Sequence, residues 1–218
     1  DFLKNSGYGA EEILGAGMAV EQNGKFIDRF RGRIMFPIFD LNSAVIGFSG
    51  RENPQAPNPK MGKYINTSNT LIYDKSKTLY GLNFSKMEIK KQDFCIVAEG
   101  NMDAIMSHQA GAKNIAASSG TALTPEQLKI IKRYTQNLYL SFDPDSAGQE
   151  ASQRAIETAL SLGFNIRVLS LKNNDPADLI AKNPKLWEEA IKGAKNLGDF
   201  YFDFALAKWD KNKIEEKK

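Results

Sequence analysis

The chain has 218 residues, of which 42% are hydrophobic and 25% charged, and a formal net charge of +3. This length and balance fit a globular protein with a sizeable core, and they exclude a disordered chain or a collagen-like repeat. One Cys and one His exclude an internal disulfide and a structural zinc site, which needs about four such ligands. No apolar run approaches the ~20 residues that span a bilayer, so we expect no membrane association and, from the single Cys, a cytoplasmic protein.

Charge is distributed unevenly along the chain. Residues 25–91 carry twelve Lys and Arg against five Asp and Glu, whereas residues 92–182 carry eight against ten. A basic segment attracts phosphate backbones and clustered acids hold divalent cations, but an ordinary solvated surface produces the same imbalance. Together with the element pattern, this division predicts a basic subdomain at 1–91, a metal-binding subdomain at 92–182 and a helical segment at 183–218.

In the first half of the chain, residues 33–38 and 44–48 are rich in apolar, β-branched and aromatic side chains. The turn-forming residues 40–43 between them predict a β-hairpin. Three prolines within residues 52–63 predict a loop, and residues 82–91 predict a helix that ends in two lysines.

The second half of the chain alternates short apolar runs with amphipathic stretches. Such alternation with short connections is typical of a parallel sheet that helices cover on both faces. Residues 185–208 predict two further helices. The predicted strands are 94–98, 114–117, 137–142 and 165–171, and the predicted helices between them are 102–109, 124–133 and 146–162.

Acidic side chains follow three of the predicted strands, at the point where each strand ends. The carboxyl ends of parallel strands lie at one edge of the sheet, which is where such sheets bind ligands. Glu99 and Asp103 are one helical turn apart, and Asp143 and Asp145 flank Pro144 at a spacing that lets both point the same way. The acids at the strand ends are Glu99, Asp103, Asp143, Asp145, Asp175 and Asp178.

A cluster of carboxylates needs a cation, because the negative charges otherwise repel one another. Oxygen ligands without His or Cys suit Mg²⁺ or Mn²⁺, and two such ions can clamp the attacking and leaving oxygens of a phosphoryl or nucleotidyl transfer. Each motif alone is also typical of structure, since Asp-Pro is common in turns. Acidic motifs at three strand ends together favour metal binding.

The motifs Glu99-Gly-Asn-Met-Asp103 and Phe142-Asp-Pro-Asp-Ser-Ala-Gly148 resemble the Toprim fold, which primases, topoisomerases and several nucleases share. Upstream segments resemble, more specifically, the catalytic core of bacterial replicative primases. In fold class, the resemblance implies an α/β protein in which a parallel-sheet Toprim subdomain follows a smaller basic α/β subdomain and precedes C-terminal helices. The upstream and connecting segments that carry the resemblance are 29–38, 46–51, 63–68, 79–82 and 117–124.

This resemblance implies an enzyme that synthesises short RNA primers on single-stranded DNA by metal-dependent nucleotidyl transfer, with Mg²⁺ or Mn²⁺ as cofactor. The residues that it assigns are Glu99, Asp143 and Asp145 as catalytic metal ligands, Asp103 and Asp175 as supporting ligands, and Arg33, Arg51, Lys63, Lys75 and Asn66 as nucleic-acid or nucleotide contacts.

The chain departs from the family pattern at three positions. Asn101 stands where the family usually has Tyr, and Pro144 stands where Gly is commoner. In the last acidic motif the family usually has Asp at the position of Ala177. Either Asp178 takes over that ligand position or the ligand is missing.

Two further features have both a functional and a structural interpretation. Tyr64, Tyr73 and Tyr80 would offer stacking faces for bases, or they would pack in the core. The turn with Ser118 and Thr121 would hold a triphosphate with its backbone N–H groups, or it would simply cap the helix that follows.

As partners, the resemblance implies the DNA template, ribonucleoside triphosphates and the RNA primer. A replicative helicase would bind through a region absent from this chain, and zinc would occupy a module that is absent as well. We expect a monomeric core, and a piece of a longer protein because the first residue is Asp1 rather than Met.

Two alternatives stay open. The first is another Toprim enzyme, such as a nuclease or a topoisomerase fragment, and the basic segment 29–82 favours primase over it. The second is a nucleic-acid-binding module without catalysis, and the intact acids Glu99, Asp143 and Asp145 favour an enzyme over it.

Overall fold

The computed structural model of the chain describes residues 2–56, 62–120, 122–141, 149–171 and 175–208. They form a two-stranded, a three-stranded and a five-stranded sheet, with helices between and around them. Within these residues, no helix is both long enough and apolar enough to cross a lipid bilayer.

Two short helices, α1 (Phe2–Asn5) and α2 (Ala10–Gly15), precede an antiparallel hairpin of β1 (Ala19–Gln22) and β2 (Lys25–Asp28). The two residues between the strands have positive φ angles, 52° and 71°. Positive φ at both positions is typical of the type I′ turn, whose twist matches that of the paired strands. This hairpin was not predictable from the sequence, because β2 is exposed at every position and has no alternating pattern.

The three-stranded sheet consists of β3 (Arg33–Phe39), β4 (Val45–Glu52) and β5 (Tyr64–Asn66), all antiparallel. β3 and β4 confirm the predicted hairpin. Their turn is closed by Asp40, whose carboxylate accepts two backbone N–H groups at 2.8 Å. β4 continues past its predicted end at residue 48, and this extension brings Arg51 opposite β5.

The strands of the larger sheet are β6 (Cys95–Ala98), β7 (Ile115–Ala117), β8 (Asn137–Ser141), β9 (Asn165–Val168) and β10 (Lys195–Asn196). They lie in the order β10-β9-β8-β6-β7, and the first four in chain order are parallel, as the sequence predicts. β10 is antiparallel to β9 and too short to leave a pattern in the sequence. β6 lies between β7 and β8, so the acid that follows it is flanked by two other strand ends.

The helices after β5 are a 3₁₀ helix (Lys75–Lys77), α3 (Leu82–Gln92), α4 (Asn101–Gln109), α5 (Pro125–Lys132), α6 (Gln149–Ser161), α7 (Pro176–Lys182), α8 (Pro184–Lys192) and α9 (Leu197–Lys208). Their ends follow signals in the sequence. Thr124 caps α5, since its Oγ accepts from the N–H of Gln127 at 3.1 Å. Gly163, with a φ of 73°, follows the end of α6.

Two apolar clusters hold these helices on the two faces of the larger sheet. One joins Val97 and Leu140 to α3, α5 and α6, and the other joins Ile96 and Ile115 to α4, α7 and Trp187 of α8. All four residues of β6 are fully buried, as expected of a strand covered on both faces.

The last predicted strand is shorter than expected, and a helix follows where none was predicted. β9 ends at Val168, and α7 begins at Pro176. Asp175 caps α7, because its Oδ1 accepts from the N–H of Asp178 at 2.6 Å. This cap engages one of the two carboxylate oxygens of Asp175.

Candidate functional site

Two of the predicted acids flank the start of α4, at the carboxyl end of β6. Glu99 is exposed, whereas Asp103 lies in the first turn of the helix and is 7% exposed. The Asp103 carboxylate accepts from the N–H of Gly100 at 3.0 Å through Oδ2 and from the N–H of Ala177 at 3.2 Å through Oδ1. Because Ala177 belongs to α7, this hydrogen bond links the acidic motif at 175–178 to the acidic motif at 99–103.

The charges of the neighbouring acids reach the Asp103 carboxyl. Burial raises the pKa of Asp103 to about 6, and the charges of Asp175 and Glu99 also raise it, while its backbone hydrogen bonds lower it. Glu99, Asp103 and Asp175 therefore form one electrostatic group, which we call the acidic edge. A bound cation relieves repulsion of this kind.

Asp143 and Asp145 lie outside the described residues, so their position at this edge stays a prediction. β8 ends at Ser141, in register with Ala98, so the strand that precedes both acids ends beside Glu99. In the part of the chain that the structure describes, no group of three or more Asp, Glu, His or Cys side chains is arranged to hold a metal ion.

The three-stranded sheet brings Arg51 and Tyr64 to the acidic edge. The two residues are paired across β4 and β5, and the guanidinium carbon of Arg51 lies 5.9 Å from the centre of the Tyr64 ring. Burial raises the pKa of Tyr64, the Arg51 charge lowers it, and the charges of Asp103 and Asp175 raise it. The Tyr64 hydroxyl is therefore within electrostatic reach of both acids. The three-stranded sheet thus places Tyr64 near Asp103 and Asp175, with Arg51 beside the Tyr64 ring.

Arg33 is hydrogen-bonded within this sheet. Its Nη1 donates to the carbonyls of Gly50 at 3.0 Å and Lys63 at 3.3 Å, and its Nη2 donates to the carbonyl of Gly62 at 2.9 Å. These bonds join β3 to β4 and to the residues just before β5. The expected contact between Arg33 and nucleic acid stays a prediction.

The other predicted contacts surround the same sheet. Lys63 is exposed just before β5, and Lys75 begins the 3₁₀ helix and is half-buried. Asn66 ends β5, and its Nδ2 donates to the carbonyl of Ser119 at 3.0 Å. The main-chain carbonyl of Asn66 accepts from the Arg29 guanidinium at 2.9 and 3.1 Å. Asn66 therefore touches the larger sheet as well as its own.

Of the three tyrosines, only Tyr64 lies beside the acidic edge. Tyr73 is 2% exposed, and burial raises its pKa to about 12, so it packs in the core. Tyr80 is partly buried and forms a β-bridge with Ala117.

A hydrogen-bonded link between the three-stranded and the five-stranded sheet passes through the turn at residues 118–120, and the sequence pattern does not predict it. The N–H groups of Ser119 and Gly120 donate to the Glu99 carbonyl at 3.0 and 3.3 Å. Ser119 Oγ donates to Asn101 Oδ1 at 2.5 Å. Two N–H groups of the turn with a predicted role in triphosphate binding therefore donate to the main-chain carbonyl of Glu99.

The chain matches two protein-family models. Residues 1–86 match the N-terminal domain of the DNA primase catalytic core, and residues 96–180 match the Toprim-like family. The DNA primase of Clostridium acetobutylicum is 40% identical over 207 residues, which cover 94% of this chain and 34% of that protein. The chain therefore spans about a third of the length of the curated relatives that it matches.

Solved structures resemble this chain over nearly its whole length. A DNA primase domain from Pseudomonas aeruginosa has 32% sequence identity and a TM-score of 0.82, and the match covers 96% of this chain and 68% of that one. A DnaG primase catalytic domain bound to single-stranded DNA has 33% identity and a TM-score of 0.81, over 96% of this chain and 67% of that one. The chain therefore resembles these primase domains in both its fold and its sequence.

Proposed function

Because this chain belongs to the family of bacterial DNA primase catalytic cores, we propose that it synthesises short RNA primers on single-stranded DNA. The 3′-hydroxyl of the growing RNA would attack the α-phosphate of a ribonucleoside triphosphate, and pyrophosphate would leave. No side chain needs to become a covalent nucleophile, so positioning and electrostatics would supply the catalysis.

The observation that carries the proposal is that Tyr64 lies within electrostatic reach of Asp103 and Asp175, with the Arg51 guanidinium beside its ring. Cationic and aromatic side chains suit the phosphates and bases of a nucleotide, and carboxylates suit the cation that accompanies it. The match of residues 1–86 to the primase N-terminal domain supports a primase over a Toprim nuclease or topoisomerase.

Toprim-like primases use divalent metal, and we propose that the acids of this chain would hold such an ion once Asp143 and Asp145 join those of the acidic edge. They provide oxygen donors only, and the acids of the acidic edge lie close enough for Asp175 and Glu99 to raise the pKa of Asp103. When bound, Mg²⁺ or Mn²⁺ would stabilise the charge that develops on the transferred phosphate. The ligands that we propose are Glu99, Asp143 and Asp145, with Asp103, Asp175 and Asp178 in support.

The supporting acids would keep carboxylate lone pairs available for the metal. Each oxygen of Asp103 accepts one backbone hydrogen bond, which leaves a second lone pair on each. Asp175 uses Oδ1 in the helix cap. Asp178 is exposed and follows Ala177 directly. Ala177 stands at the position where the family usually has its last acid.

On the template side, Arg51, Lys63, Lys75 and Asn66 would contact the nucleic acid or the nucleotide. Arg33 would join them while it fixes the segment that carries Lys63. The core would be monomeric and would work in the cytoplasm. A replicative helicase would bind elsewhere in the full-length protein, and zinc would belong to a separate module.

A primer-extension assay tests this function. A short RNA annealed to single-stranded DNA supplies a ready primer end, so the assay needs no template capture by other parts of the enzyme. We expect labelled ribonucleotides to be incorporated with Mg²⁺ or Mn²⁺ and not with EDTA. A folded chain that binds the primed template but incorporates nothing with either metal would contradict the proposal, and shortening of the template would indicate a nuclease.

A further inference from the structure

We propose that Ser119 and Asn101 are positioning residues for Glu99, and that their side-chain hydrogen bond holds Glu99 where it can bind a divalent cation. This inference rests on the proposed function, because it assumes a metal at the acidic edge. Among the described residues, the turn at 118–120 is hydrogen-bonded to both the five-stranded and the three-stranded sheet.

Ser119 has a backbone conformation that serine disfavours. Its φ is +61°, and the φ of Gly120 is +77°. A residue other than glycine keeps such a conformation only where its surroundings hold it. Asn101 supplies this support, since it is 6% exposed and its Oδ1 accepts from Ser119 Oγ at 2.5 Å.

The left-handed turn directs two consecutive N–H groups at a single acceptor. Both donate to the carbonyl of Glu99, at 3.0 Å from Ser119 and at 3.3 Å from Gly120. The N–H of Ser118 donates to the carbonyl of Ala98 at 3.0 Å. The peptide that carries the Glu99 side chain is therefore fixed by a turn outside its own strand.

Ser119 also reaches the three-stranded sheet, because its carbonyl accepts from Asn66 Nδ2 at 3.0 Å. The N–H, the hydroxyl and the carbonyl of this one residue thus contact the end of β6, the start of α4 and the end of β5. A displacement of Ser119 would move Glu99 relative to the strand that carries Tyr64.

Ser119→Gly separates the role of the hydroxyl from that of the backbone. Glycine adopts positive φ without strain, so this variant keeps the turn and loses the bond to Asn101. Asn101→Ala removes the same bond from the other side. Ser43 and Asn83 offer a matched control, since Ser43 has a φ of +67° and accepts from Asn83 Nδ2 at 3.1 Å, in the turn before β4.

The affinity of the 218-residue chain for Mn²⁺ is the main measurement, followed through the electron paramagnetic resonance signal of the unbound ion. We expect Ser119→Gly to weaken Mn²⁺ binding about threefold to tenfold, the effect of one lost hydrogen bond. Asn101→Ala should weaken it similarly, the double variant no further, and Ser43→Gly not at all. The melting temperature of Ser119→Gly in EDTA should stay close to that of the unchanged chain.

Three results would overturn this inference while leaving the proposed function intact: Mn²⁺ binding by Ser119→Gly equal to that of the unchanged chain, additive losses in the double variant, or an equal loss in Ser43→Gly. If the unchanged chain did not bind Mn²⁺ at all, the metal site of the proposed function would be wrong, and this inference with it.

Discussion

Asp103 combines deep burial, two backbone hydrogen bonds and two acidic neighbours in one side chain. The hydrogen bonds orient the carboxylate, while burial and the charges of Asp175 and Glu99 make its ionised form costly. This balance makes the side chain sensitive to pH, and it makes a cation at the acidic edge favourable.

In metal-free buffer, we expect Asp103 to make the protein more stable as the pH falls from 7 to 5. Its folded-state pKa of about 6 lies above the unfolded value of about 3.9, so between these values the folded chain binds an additional proton. The contribution is complete below the unfolded pKa and is lost as the pH rises through 6. In urea unfolding with EDTA, Asp103→Asn should lose about 1 kcal/mol of this pH-dependent gain, and identical profiles would contradict the prediction.

Glu99→Gln tests the central residue of the proposed mechanism. The change keeps the size of the side chain and removes its charge, so repulsion falls and the melting temperature in EDTA should hold or rise slightly. Primer extension should fall by about a hundredfold or more, because a lost electrostatic contact to the transition state costs about 3 kcal/mol. Glu157→Gln, at an exposed position on α6, is the control.

Near-normal extension by Glu99→Gln with an intact fold would remove Glu99 from the mechanism. A collapsed melting temperature would instead make Glu99 a structural residue.

Among the elements, β3 and β5 are not neighbours, and Arg33 joins β3 to β4 and to the residues just before β5. We expect Arg33→Lys, which keeps the charge but not the forked geometry, to lower the free energy of unfolding by about 1–2 kcal/mol. Arg31→Lys, at an exposed position nearby, should change little. Urea unfolding measures both variants, and a stable Arg33→Lys with weaker DNA binding would show that contact with phosphate is the main role of Arg33.

Elements with strong local signals were predictable from the sequence. The apolar run around Val97 predicted a buried strand, and Thr124 predicted the start of a helix. Because parallel strands end at one edge of the sheet, the sequence also predicted that Glu99 and Asp175 lie at the same edge. β2 and β5 were not predictable, because their strand state depends on partners rather than on a pattern of their own. The approach of Tyr64 to Asp103 depends on how two sheets pack, which no local pattern records.

For the whole molecule, the apposition of a basic and an acidic surface predicts how DNA binding depends on salt. Binding of single-stranded DNA by this chain should weaken as salt rises, because phosphate contacts release counterions. Changing Arg51 and Lys63 together to Ala should flatten the slope of log affinity against log salt by about 0.7 for each lost contact. Lys90→Ala combined with Lys129→Ala changes the net charge equally at exposed positions on α3 and α5, and it should leave the slope unchanged.

An unchanged slope in the Arg51 and Lys63 double variant would place the template elsewhere on the molecule. An equal flattening in the control would mean that overall charge, rather than this surface, attracts the DNA.

The place of β6 between β7 and β8 has a consequence for how the protein reaches its folded state. Cys95 is in register with Leu138 of β8, so its surroundings are complete only after a strand much later in the chain has docked. Such distant pairing is slow, because a long loop must close first. The Cys95 thiol is fully buried, and burial raises its pKa, so the folded chain should resist alkylation.

In pulsed alkylation during refolding, we expect Cys95 to become protected in the slowest phase. Early protection would show that β6 is shielded before β8 arrives. A chain still emerging from the ribosome would then carry Glu99 on an unfinished sheet, and the acidic edge would exist only in the completed molecule.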